Sequence, residues 1–115
     1  MTQTTIIITP EAKEQIRLTR DYIRTKLNNK AAANNWLAEI ETAINGLAIF
    51  PEAYPELARE PWKSKGIRKR VVGAFNLYYK FDKINSMISI LAVIYGKRDQ
   101  LRQLINNVSK VKDIK

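Results

Sequence analysis

Three groups of cationic side chains and one tyrosine carry the chemistry this sequence can offer. Arg68 and Arg70 stand two residues apart in IRKRVV (67–72), with Lys69 between them. Lys97 and Arg98 follow directly on the apolar run MISILAVIY (87–95), whose last residue is Tyr95. Lys13, Arg17, Arg20 and Arg24 recur at three- and four-residue steps near the N-terminus, on one flank of a predicted helix. Guanidinium and ammonium groups bind phosphate or carboxylate and can stabilise a developing negative charge. Tyr95 is the one ionisable ring beside Arg98. Its ordinary pKa of about 10 makes it a poor base at neutral pH, although neighbouring cations favour the phenolate. A tyrosine at a strand end more often packs and makes one hydrogen bond. The chain has no histidine and no cysteine. It therefore lacks the usual general base, the commonest metal ligand, thiolate sites and disulfides, and it points to a reducing cytoplasm with no cofactor.

The net charge is +9, unevenly spread. Residues 1–58 hold six basic and seven acidic side chains, for a net −1. Residues 59–80 hold seven basic and one acidic, for +6; residues 81–96 balance; residues 97–115 hold six basic and two acidic, for +4. Such asymmetry favours a polyanionic partner, nucleic acid or an acidic protein. A surface built from Arg68, Arg70, Lys97 and Arg98 is the expected contact, with strong salt dependence. At 115 residues the chain suits one domain. No apolar run reaches the roughly 20 residues a membrane span requires, and no signal-peptide pattern opens the sequence, so a soluble, intracellular chain with no membrane partner is expected.

The elements that must hold these residues read clearly. TIIIT (5–9) is a short strand. Thr9, Pro10 and Glu11 then form a helix start: cap, first-turn proline and first-turn acid. That helix should run to about 27, stopping at Asn28–Asn29, with Ala12, Ile16, Ile23 and Leu27 buried. A second helix over 31–48 should bury Ala33, Trp36, Leu37, Ile40, Ile44 and Leu47, with Trp36 in the core, and end by Pro51. The short connection makes the pair an antiparallel hairpin. Three prolines between 50 and 66 imply an irregular, ordered loop. IRKRVV places Ile67, Lys69 and Val71 on one face and Arg68, Arg70 and Val72 on the other. Gly73–Ala74 turns the chain into FNLYYKFD, which alternates Phe75, Leu77, Tyr79 and Phe81 against Asn76, Tyr78, Lys80 and Asp82. The strand from 87 to 95 is apolar on both faces, which fits a central position. Beyond Asp99 a helix with Leu101, Leu104, Ile105 and Val108 on one side is expected, then a mobile basic tail over 109–115. The domain is thus 1–108, an α+β fold with an N-terminal strand and a helix hairpin packed on a small, antiparallel-rich sheet.

That order resembles the RelE/ParE superfamily of toxins from bacterial type II toxin–antitoxin modules. The residues that carry the resemblance are ITPEAKEQIRLTRDYI (8–23), FPEAYPEL (50–57) and ISILAVIYGKRD (88–99), with FNLYYKF similar to the family's tyrosine-rich strand. It covers about residues 5–105. It implies a growth inhibitor neutralised by an antitoxin encoded beside it, acidic in its toxin-binding segment. It also implies contact with promoter DNA only through the antitoxin.

The superfamily divides by target. RelE-like members are ribosome-dependent, metal-independent endoribonucleases that cut mRNA. Matched to them, Arg68 and Arg70 fall on a basic strand pair and Arg98 on the arginine that closes the last strand, with Tyr95 as the nearby ionisable ring. Two positions depart from that pattern: Asn76 stands where a basic residue is expected, and Leu104 where a tyrosine is. ParE-like members poison DNA gyrase by binding. The long hairpin, the GKRD ending and the two departures lean toward ParE. Lys13, Arg17, Arg20, Arg24, Lys69 and Lys97 are then the expected contacts to antitoxin or target. A chain that binds antitoxin without being toxic is a third alternative.

Overall fold

The computed structural model describes residues 4–98, with the side chain of Arg98 excepted. The helix expected from Asp99 and the tail at 109–115 lie outside the described residues.

Four strands and two helices make the domain. Strand β1 (Thr5–Ile8) leads into helix α1 (Pro10–Thr25), then α2 (Lys30–Leu47), β2 (Ile67–Val72), β3 (Phe75–Asp82), β4 (Met87–Tyr95) and a short 3-10 turn, Gly96–Arg98. Local chemistry sets the helix limits. The Thr9 hydroxyl accepts from the Ala12 N–H at 3.2 Å, Pro10 fills the first turn, and Glu11 faces the positive end of the dipole. Asn28 takes a positive φ of 48°, which asparagine tolerates. Asn29 then caps α2, accepting from the Ala32 N–H at 2.9 Å. α1 is two residues shorter than its apolar pattern implies, so Leu27 is 58% exposed rather than buried. It belongs to the turn that the two asparagines create.

The sheet order is β1-β4-β3-β2, with β1 parallel to β4 and both other pairs antiparallel. β4 is central, which explains why it is apolar on both faces. One face packs under the helices: Leu77, Tyr79, Ile88, Ile90 and Val93 meet Ala12, Ile40, Ala43, Ile44 and Leu47, with Ile6, Ile8, Ile16, Trp36, Phe75 and Phe81 around them. Trp36 is only half-buried, packed at 5.1 Å on the Phe75 ring. The other face carries a smaller cluster, in which Trp62, only 3% exposed, covers Ile67, Tyr78, Leu91, Ala92 and Ile94. Trp62 thereby anchors the proline-rich loop and supplies the contact behind the order expected of it.

Two turns fix the register. Gly73 has φ 59° in the two-residue β2–β3 connection, which suits glycine at the first turn position. Between β3 and β4 the Asp82 carboxylate accepts from Asn85 at its backbone N–H (3.1 Å) and its amide (2.7 Å). The β3–β4 register slips between Tyr78 and Tyr79: Tyr78 faces Ala92 while Tyr79 faces Ile90, so Leu91 is the extra residue of a bulge. Among the described residues no helix is long and apolar enough to cross a membrane.

Candidate functional site

Arg68 and Arg70 point to the helix side of the sheet, opposite Tyr79 and Leu77 in the β2–β3 register. Both are half-buried, and both guanidinium groups are held by backbone carbonyls. Arg68 donates to Tyr54 O at 2.6 Å and, more weakly, to Glu52 O at 3.4 Å. Arg70 donates to Ala43 O at 2.7 Å and lies over the Tyr54 ring, 4.9 Å from its centroid. A Cβ on Gly46 would come within 3.2 Å of Arg70 Nη1, so the glycine that weakens α2 also makes room for this arginine. Tyr79 completes the set, its hydroxyl donating to Pro51 O at 2.7 Å. Burial raises the Tyr79 pKa above the ordinary tyrosine value, with the arginine charges partly opposing the shift. Together the three side chains tie residues 51–54 and the end of α2 to the sheet. The two charge-assisted bonds made by the arginines each contribute about 1.5–3 kcal/mol.

Tyr95 sits elsewhere. It is two strands across from Arg68 and four residue pairs further along, so their backbones are about 16 Å apart by strand geometry. Its ring stacks at a tilt on Phe75, 5.4 Å between centroids. With Phe75 it lines a groove of about 650 Å³ whose other walls are Leu18, Thr19, Tyr22, Ile23 and Leu27. Lys97 is exposed beyond the end of the sheet, where Gly96 N–H donates to Ala74 O at 2.8 Å. Lys69 lies on the face away from the helices, opposite Tyr78. The described residues therefore do not gather Arg68, Arg70 and Tyr95 around one point.

The α1 flank is a different construction. Arg17 binds the Glu14 carboxylate on one side and Asp21 (3.1 Å) on the other; Arg20 and Arg24 each reach the same Asp21 at 3.2 Å. The Arg17 hydrogen bond holds Glu14 below the usual glutamate range. Lys13 is exposed and has no ion-pair partner among the described residues. Lys13, Arg17 and Arg20 form one wall of a small cleft of about 200 Å³ along the hairpin seam. Ile8, Ile16, Leu37, Ile40 and Ile44 supply its apolar surfaces, and Glu41 its far rim. An apolar floor with a cationic wall accepts a segment that is itself apolar and acidic. The three-to-four spacing of the cations was the signal for this wall. The apolar seam beneath it follows only from how α1 and α2 pack.

Relatives bring the family into view. Residues 6–100 match the family described as ParE toxin of type II toxin-antitoxin system, parDE. The chain belongs to that family. No curated protein matches it closely enough in sequence to serve as a relative. In fold it is similar to a chain of the RelBE2 toxin-antitoxin complex from Mycobacterium tuberculosis, with TM-score 0.60 and 20% identity over 82% of this chain and 99% of that one. It is similar too to a chain of the chromosomal ParDE system of P. aeruginosa, with TM-score 0.65 and 16% identity over 81% of this chain and 96% of that one. Both likenesses are of fold. The α+β architecture expected from the sequence, strand then hairpin then antiparallel strands, is the one shared with these toxin–antitoxin chains.

Proposed function

We propose that this chain stops bacterial growth by binding DNA gyrase, and that an acidic antitoxin encoded beside it neutralises it. The observation that carries the choice of target is the fate of Arg68 and Arg70. A ribonuclease would need that strand pair free to hold a scissile phosphate, whereas here each guanidinium is committed to a backbone carbonyl. Asn76 and the distance of Tyr95 from the arginines point the same way. The antitoxin reading is supported by the family match and by the apolar, cation-walled seam of the hairpin. Lys13, Arg17, Arg20 and Arg24 are its proposed contacts; Lys69 and Lys97 are proposed to face the target. Promoter DNA is reached through the antitoxin, and the complex works in the cytoplasm.

The test is made in cells. Tight induction of the chain should arrest growth and raise the DNA-damage response, and co-expression of the neighbouring acidic reading frame should lift the arrest. Immediate translation arrest with mRNA cut in codon phase would favour the ribosomal target instead. Normal colonies from a soluble, verified chain would mark it as a non-toxic binder of antitoxin.

A further inference from the structure

The face of the sheet turned away from the helices carries most of the charge surplus of residues 59–80. Seven cations and one acid, Glu60, fall in that stretch. Arg68 and Arg70 turn to the helix side, which leaves Arg59, Lys63, Lys65, Lys69 and Lys80. Residues 59–66 fold as a run of tight turns: Lys63 N–H donates to Arg59 O at 3.0 Å, Lys65 N–H to Trp62 O at 3.1 Å and Gly66 N–H to Lys63 O at 3.1 Å. Trp62 packs inward on the sheet, while Lys63 and Lys65 beside it stand exposed. Lys80 pairs opposite Ile67 and Lys69 opposite Tyr78, two residues of the cluster that Trp62 covers. These two lysines are therefore diagonal neighbours, about 7–8 Å apart. Glu60 is turned onto Ser64, whose hydroxyl and N–H donate to it and hold its pKa below the ordinary glutamate value. Glu56 lies against Gly66 at the β2 edge, and Asp82, beyond Lys80, is bound by Asn85. None of the ion pairs among the described residues includes any of the five cations.

We infer that this face lies on the sugar–phosphate backbone of duplex DNA, the segment that gyrase holds when the chain binds it. This rests on the gyrase reading above and names a contact within it. Three observations choose the occupant. Four of the five cations are lysines, which meet phosphate as point charges. No large apolar side chain of residues 55–70 is exposed, so the patch lacks the apolar centre that a protein partner uses. Its aromatic rings are buried, with Trp62 3% and Tyr78 4% exposed, so the bases of a single strand find no platform on which to stack. A duplex backbone needs neither. The α1 flank differs, since its arginines share Asp21 and stand over an apolar seam.

The test titrates the full chain onto a labelled duplex over a salt series, beside the matching single strand. With about four phosphates neutralised, affinity should fall about 100-fold between about 50 and 200 mM salt, equally for unrelated sequences. The double variant Lys63→Gln/Lys65→Gln should bind about tenfold more weakly at low salt, with a salt slope shallower by about two. Lys63→Arg/Lys65→Arg should keep both at the wild-type values. Circular dichroism and an unchanged affinity for the antitoxin establish that the glutamine variant is folded. In plasmid linearisation by gyrase, that variant should need about tenfold more protein than the wild type for the same linear DNA. Equal potency of the two with gyrase, or tighter binding to the single strand, overturns the inference and leaves the gyrase reading standing. No linear DNA with the wild-type chain overturns both.

Discussion

Arg68 and Arg70 reach from β2 to the backbone carbonyls of Tyr54 and Ala43, whereas Arg17, Arg20 and Arg24 surround a single carboxylate on the outer flank of α1. A half-buried guanidinium bound to a carbonyl is part of the fold, because removing it leaves a polar group without its partner. An exposed guanidinium that shares one aspartate with two others adds little to stability. Its charge is only partly cancelled, so it remains available to an acidic partner. The same residue type is thus held in two different ways on the two elements. Function should follow the α1 set, and stability the β2 set.

The sharpest way to break this contrast is to truncate one arginine of each kind. Arg70→Ala should cost about 2–3 kcal/mol, since it loses a charge-assisted bond, a contact over the Tyr54 ring and its packing beside Gly46. In thermal unfolding that is a fall of about 10 °C or more for a domain of this size. Arg24→Ala should stay within about 0.5 kcal/mol. Equal losses would show that the two sets are not distinct.

Tyr79→Phe should cost less, about 1 kcal/mol, through the lost bond to Pro51 O. It carries a pH signature as well. Because burial raises the folded-state pKa of Tyr79, its contribution is complete below the ordinary tyrosine pKa of about 10 and is lost as pH rises toward the folded value. Denaturant midpoints measured upward from neutral pH should therefore fall less steeply at alkaline pH in the variant than in the wild type. An identical alkaline slope would mean that Tyr79 is not the group responsible.

The smallest effect on stability, and the one that most sharpens the comparison, belongs to Asp21→Asn. It frees three arginines from their shared acid, with a stability change within about 0.5 kcal/mol. Association with the acidic antitoxin should become faster at low salt, and the gain should vanish at high salt. A slower association would place the α1 flank outside the interface.

Much of this architecture was written in local patterns. The threonine–proline–glutamate start of α1, the period of two in FNLYYKFD and the apolar run of β4 each depend on near neighbours, and each element stands where its pattern puts it. The alternation in IRKRVV also separates Lys69 from the two arginines as expected. What alternation cannot say is which face meets the helices. Arg68 and Arg70 look like a binding pair in one dimension and become loop anchors only once residues 51–54 fold over them. The covering of the far face by Trp62 and the bulge at Leu91 are likewise products of tertiary packing. So is the place of β1 at the end of the strand order, since a strand's neighbours are set by topology. Leu27 shows the reverse limit: its apolar spacing continues the α1 stripe, but the asparagine turn takes it out of the helix.

We propose that this chain poisons gyrase by binding and that its β2 arginines serve the fold alone. The direct measurement is plasmid linearisation by gyrase in the presence of wild-type chain or Arg68→Gln, at matched concentrations of folded protein. Programmed ribosomes are run in parallel and their mRNA ends mapped. The account predicts that linear DNA accumulates with both proteins at comparable potency, and that the mRNA stays intact. Intact supercoiling by gyrase, together with codon-phased mRNA cuts that fall about 10²-fold or more in Arg68→Gln, would contradict it.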